Sequence, residues 1–178
     1  MIKILKYGEV KNEEIFSRCE GLSKVDDIVT DIINNVKANG DKALFEYEEK
    51  FDKVSLTSLE VTKEEIEEAL TLVDAKFIDV LKLAKKNISE YHINQLRKGF
   101  EIKKDNGVVM GQKITPVAKA GLYVPGGKAA YPSTVLMDSI PAKIAGVKQV
   151  VIVTPPNKEG KINPVILAAA YVAGVDKI

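Results

Sequence analysis

The stretch 121–156, GLYVPGGKAAYPSTVLMDSIPAKIAGVKQVVIVTPP, constrains the fold more than any other part of this chain. Gly121–Val124 reads as a short apolar strand, and Pro125–Pro132 as the loop that leaves it. A helix is expected over Ser133–Ala145, stopped by Gly146. Val150–Thr154 has the valine and isoleucine content of a buried strand, ended by Pro155 and Pro156. Asn163 is placed to cap a further helix with Pro164 in its first turn and Gly174 after its last. Asp176–Ile178 then enters a third strand. Strand, helix, strand, helix, strand is the pattern of a parallel sheet with right-handed crossovers. Such sheets need both faces covered and several strands paired, so a sequence that breaks off at the third strand reads as a fragment.

The residues before this unit read differently. Val25, Ile28, Val29, Ile32, Ile33 and Val36 recur at three- and four-residue spacing and predict one helix, closed by Asn39-Gly40. A second helix is expected from Asp41, with Ala43, Leu44, Tyr47 and Phe51 turned inward. Thr62 and Glu65 form a capping-box pattern. Asp74 opens a helix whose apolar face is Phe77, Leu81, Ala84, Ile88 and Tyr91, and Gly99 is expected to end it. Asn106-Gly107, between Glu101–Lys104 and Val108–Ile114, is a hairpin signal. The resulting expectation is an α/β chain in three parts: a mainly helical segment at 1–99, a β-hairpin or linker at 100–120, and the start of a truncated Rossmann-like βαβ unit at 121–178.

Composition narrows the function classes. The 26 basic residues nearly balance the 25 acidic ones, and no block is basic enough to grip a phosphate backbone, so nucleic acid is not an expected partner. No apolar run approaches the ~18 residues of a membrane span, and the first residues lack the apolar core of a signal peptide. The single cysteine, Cys19, allows no intrachain disulfide and no cysteine-based zinc cluster, and fits a reducing cytoplasm.

Candidate chemistry gathers at the loop after Val124, the carboxyl end of a parallel strand, where open α/β sheets bind ligands. Gly126 and Gly127 would permit positive backbone dihedrals and close approach of a ligand to the main chain. Amides at the start of the following helix could face an anion. Pro-Gly-Gly is a weak word by itself, and a plain strand-to-helix turn is the alternative. Tyr123 could stack on a planar ring or reach a ribose, although a tyrosine in an apolar strand is more often core. Lys128 and Tyr131 share the loop. His92 is the only histidine, and a zinc site needs three or four converging ligands. The glutamates at 46–49 and 64–68 read as solvated helix faces, and no catalytic constellation can be assembled.

Three stretches resemble histidinol dehydrogenases in order and spacing: VKANGDKALFEYEEKFD at 36–52, NISEYHINQ at 87–95, and GLYVPGGKAAYPSTVLM with the IPAKIAGVKQVVIVTPP and ILAAAYVAGVDKI that follow it. The resemblance covers essentially this whole chain and about the first two fifths of a family member. It implies a parent enzyme that oxidises L-histidinol to L-histidine with NAD in two steps, as a cytoplasmic homodimer with zinc. It also implies that Tyr123 contacts NAD, with Gly126 and Gly127 in the same cofactor-binding loop. The zinc ligands and the acid–base pair of the family fall after Ile178, so the resemblance implies neither zinc nor catalysis in this fragment alone. Two other readings stay open: a non-catalytic dimerisation module, and another NAD-dependent alcohol or aldehyde dehydrogenase sharing only the loop.

Overall fold

The computed structural model describes residues 6–12, 23–126 and 130–178. They form two compact units, one reaching Glu46 and the other running from Tyr47 to the end. The first holds helix α1 (Ser23–Asn39) and most of α2 (Asp41–Tyr47). Gly40, at φ +56°, separates them in the left-handed conformation expected of its position. Val25, Ile28, Val29 and Ile33 of the periodic stripe on α1 are exposed, while Ala43 of α2 is fully buried. Cys19 lies outside the described residues.

The second unit opens with a π-helical turn, Glu48–Asp52, that continues α2. Phe51 was expected to face inward. It is instead exposed and stacks on Tyr47, four residues earlier on the same helical face, with ring centroids 5.6 Å apart. Helix α3 (Lys63–Leu72) starts at the capping box: the Thr62 hydroxyl accepts from the Glu65 amide at 3.2 Å, and Glu65 accepts from the Thr62 amide at 2.8 Å. Asp74 caps α4 (Ala75–Ile93), accepting from the Lys76 amide. On α4, Leu81 is buried and Phe77, Ala84 and Ile88 pack against the core. Tyr91, expected on the same face, is exposed.

Gly99 has a role other than the helix stop expected of it, since α4 already ends at Ile93 with Asn94 as its cap. A side chain at Gly99 would collide with the carbonyl of Gln112. This glycine therefore admits the opposite strand of the hairpin formed by β1 (Phe100–Lys103) and β2 (Val109–Gln112). Asn106-Gly107 makes the turn as expected: Gly107 sits at φ +83° and Lys104 pairs with Val108 through a 2.9 Å backbone hydrogen bond. Ile102 lies opposite Met110, and every residue of both strands is exposed.

Strand β3 (Lys119–Tyr123) pairs in parallel with β4 (Gln149–Val153), and helix α5 (Pro132–Ile144) forms the crossover. Helix α6 (Pro164–Ala173) follows β4; Asn163 accepts from the Val165 amide at 2.9 Å, and Gly174 takes φ +82° at its end. The third strand is begun by a single bridge between Val151 and Lys177. Asp176 ties it in place: its carboxylate accepts from the Lys143 ammonium and from the Val150 amide, each at 2.6 Å, while its own amide donates to the Val150 carbonyl. The core lies on one face of this sheet. Val124 and Ile152 pack there with Leu136 and Ile140 of α5, Ile166 and Ala169 of α6, and Leu81 of α4. The architecture is α/β, with helices, an antiparallel hairpin and a parallel pair.

Candidate functional site

Period-two alternation decides what β3 presents. Leu122 packs against the core and Val124 is completely buried, so Tyr123 between them must point to the opposite face. On that face Tyr123 is 66% exposed among the described residues. The common expectation for a tyrosine in an apolar strand, a place in the core, does not hold here. Tyr123 is also the last residue of β3 and sits opposite Val153, the last of β4, itself exposed. Ladder pairing continues one step further, since the Val124 amide donates to the Val153 carbonyl at 2.9 Å. The backbone of Tyr123 is thus held at the carboxyl edge of two parallel strands.

Gly126 lies in the loop just after this pairing. It is not among the glycines with positive φ, so the conformational freedom expected of it is not what its position uses. The requirement is space. A Cβ at Gly126 would stand 2.7 Å from Cγ of Pro155, closer than carbon tolerates, and 3.0 Å from its carbonyl oxygen, a tight contact. Gly127 and Lys128 lie outside the described residues. Tyr131 occupies the N-cap of α5, half exposed, and its side chain makes no capping hydrogen bond; Pro132 fills the first helical position, where a missing amide hydrogen costs nothing. Tyr123, Gly126 and Tyr131 therefore belong to one edge of the sheet, together with Val153 and Pro155. The last two were missed by sequence reasoning. Parallel strand register, which no local pattern reveals, is what brings them there.

The other titratable candidates lie elsewhere. His92, in the last turn of α4, has Nδ1 2.7 Å from the Gln95 side-chain oxygen and the Tyr91 ring edge-on beside it. Among the described residues no three histidine, cysteine, aspartate or glutamate side chains gather in a way that could hold a metal ion. Hydrogen bonding from Lys143, with help from the Val150 amide, keeps the Asp176 carboxyl below the usual carboxylate range. Burial, and secondarily the charge of Asp52, raises that of Glu48. A recess of about 60 Å³ opens between α3 and α6, lined by Val61, Ala69, Leu72 and Leu167 among others. It shares no residue with the Tyr123 edge and is far below the several hundred Å³ of an ordinary ligand pocket.

Comparison with known proteins decides the family. Residues 17–178 match the sequence profile described as Histidinol dehydrogenase. The chain belongs to the histidinol dehydrogenase family. It is 51% identical to a histidinol dehydrogenase of Clostridium acetobutylicum over all of its own length and 42% of that protein's. It is 44% identical to that of Methanosarcina mazei, covering 99% of this chain and 41% of the relative. The fold superposes on the crystal structure of histidinol dehydrogenase from Elizabethkingia anophelis with a TM-score of 0.79 at 38% identity, over 89% of this chain and 36% of that one. The chain thus spans about two fifths of the length of these histidinol dehydrogenases. The likeness runs far beyond the loop after β3, which removes the reading of a dehydrogenase sharing only that loop.

Proposed function

We propose that this chain is the N-terminal portion of a histidinol dehydrogenase, an oxidoreductase of histidine biosynthesis that converts L-histidinol to L-histidine with two NAD, as a cytoplasmic homodimer using zinc. In that enzyme residues 121–178 would open an incomplete Rossmann-like domain. Tyr123 and Gly126 would line the dinucleotide, with Gly127 as the further member of the same loop. The observation that carries this reading is the placement of Tyr123: an exposed aromatic ring at the carboxyl edge of a parallel pair, beside a glycine that keeps the main chain bare. A nicotinamide cofactor supplies the hydride acceptor; these residues would bind and orient it, no more.

Zinc does not fit the described residues, because no donor set converges among them. Nor is there an identifiable base to take the hydroxyl proton. We therefore expect the 178-residue polypeptide to be inactive alone. The test is to add L-histidinol, NAD and zinc to the purified chain and follow absorbance of the reduced nicotinamide. Turnover above a no-protein blank would overturn the assignment of catalysis to the rest of the enzyme.

A second reading, a dimerisation module, draws on the hairpin, whose Phe100, Ile102 and Met110 share one exposed face. Light scattering separates the two, since a stable monomer removes the second.

A further inference from the structure

We infer that Pro155 is a positioning residue: the exit of β4 is a rigid strut against which the loop after Tyr123 rests, and Gly126 is the point of contact. This rests on the dinucleotide reading of that loop. Pro155 and Pro156 have ring-fixed φ angles, and a residue before proline is confined to extended backbone, so this dipeptide has almost no freedom to yield. The segment following it is equally held. Asn157 accepts from the Glu159 and Lys161 amides through its side chain, at 3.0 and 2.8 Å, and its own amide donates to the Lys161 carbonyl. Gly160, at φ +75°, lies where a Cβ would be 3.2 Å from Leu56 and 3.4 Å from Val54. The strut is therefore braced at both ends, by the β3–β4 ladder on one side and by this closed turn on the other.

Gly126 meets that strut with nothing to spare: its missing Cβ would lie 2.7 Å from Cγ and 3.1 Å from Cδ of Pro155. Where the main chain at Gly126 crosses the sheet edge is thus set by its contact with the Pro155 ring. A glycine-for-flexibility account makes a different prediction, because there the identity of residue 155 would be irrelevant.

Size compensation separates the two accounts. Gly126→Ala drives a methyl group into the Pro155 ring, and Pro155→Ala removes the two ring atoms it meets. Amide exchange at Val124 reads the loop, exchange at Ile152 controls for the core, and NAD titration followed by saturation-transfer NMR reads the site. Gly126→Ala is expected to speed Val124 exchange and weaken NAD binding, each about tenfold, as overpacking does when neither side can move. The double variant is expected to recover both to within about threefold, with Ile152 protected throughout. A Gly126→Ala chain that behaves like wild type, or a double variant no better than the single one while Ile152 stays protected, would overturn the strut. Absence of saturable NAD binding by the wild-type chain would instead remove the dinucleotide reading, and Val124 exchange would then decide the strut alone.

Discussion

The two faces of the β3–β4 pair are built from alternate residues of the same two segments, yet they live in different solvents. On one face Val124, Val150 and Ile152 are sealed beneath α4, α5 and α6. On the other, Tyr123 and Val153 lie open at 66% and 55% exposure. A parallel sheet ordinarily has both faces covered. Among the described residues, one face is packed under these helices and the other carries Tyr123 and Val153 exposed. Stability and candidate chemistry are thus separated by a step of one residue along the strand.

That separation is broken most forcefully from the covered side. Ile152→Ala removes a side chain that is 1% exposed and belongs to the core cluster shared with α4, α5 and α6. The expected loss is about 2–5 kcal/mol in urea unfolding, enough to unfold much of the population of a marginally stable unit. Tyr123→Ala and Val153→Ser, on the bare face, are expected to move stability by no more than about 0.5 kcal/mol. Tyr123→Ala should nevertheless weaken NAD binding about tenfold, the size expected for losing an aromatic contact with a planar ring. If Tyr123→Ala destabilised as much as Ile152→Ala, the faces would not be divided as described.

Within the covered face, one atom runs against its surroundings. The Ser139 hydroxyl on α5 is fully buried and has no hydrogen-bond partner among the described residues. A buried hydroxyl without a partner carries its desolvation cost uncompensated. Ser139→Ala keeps helix propensity and fills nearly the same space, so it is expected to stabilise by about 1 kcal/mol, visible as a higher midpoint with an unchanged denaturant slope. A loss of stability of the same size would reveal a hydrogen bond to that hydroxyl.

Legibility in the sequence followed the range of the interaction concerned. The Thr62–Glu65 box, the Asn163 cap, the Gly40 and Gly174 stops and the Asn106-Gly107 turn are local devices, and each was readable because its partners lie within a few residues. The parallel order of β3 and β4 was readable from strand spacing. The outward turn of Tyr91 and Phe51 was not, since a helical stripe says which residues share a face and not where the covering element ends. Gly99 does not stop the helix and Gly126 does not use a positive φ, as was expected of each. Gly99 admits the distant backbone of Gln112 and Gly126 the ring and carbonyl of Pro155, and no neighbouring residue announces either contact. Of the candidate site, Tyr123 and Gly126 could be named in advance, whereas the partners that fix them could not.

A small effect is also expected at the start of the third strand. Asp176 joins it to β4 and α5, and the Lys143 hydrogen bond holds its carboxyl below the ordinary range. A depressed carboxylate stabilises the fold at pH values above its unfolded pKa of about 4, and that contribution fades as pH falls through the lower, folded value. Lys143 and Asp176 are 28% and 35% exposed, so solvent screening limits the pair to under about 1 kcal/mol. Asp176→Asn should therefore lower stability slightly at neutral pH and flatten the pH dependence of unfolding below about pH 4, while leaving Tyr123 and its neighbours undisturbed. Urea midpoints of the two proteins, compared at neutral pH and again near pH 3, would check this. The difference between them should shrink on acidification, because the wild-type carboxyl then approaches the uncharged state that asparagine imitates. A difference that grew instead would mean that the protonated carboxyl, and not the ion pair, holds the strand.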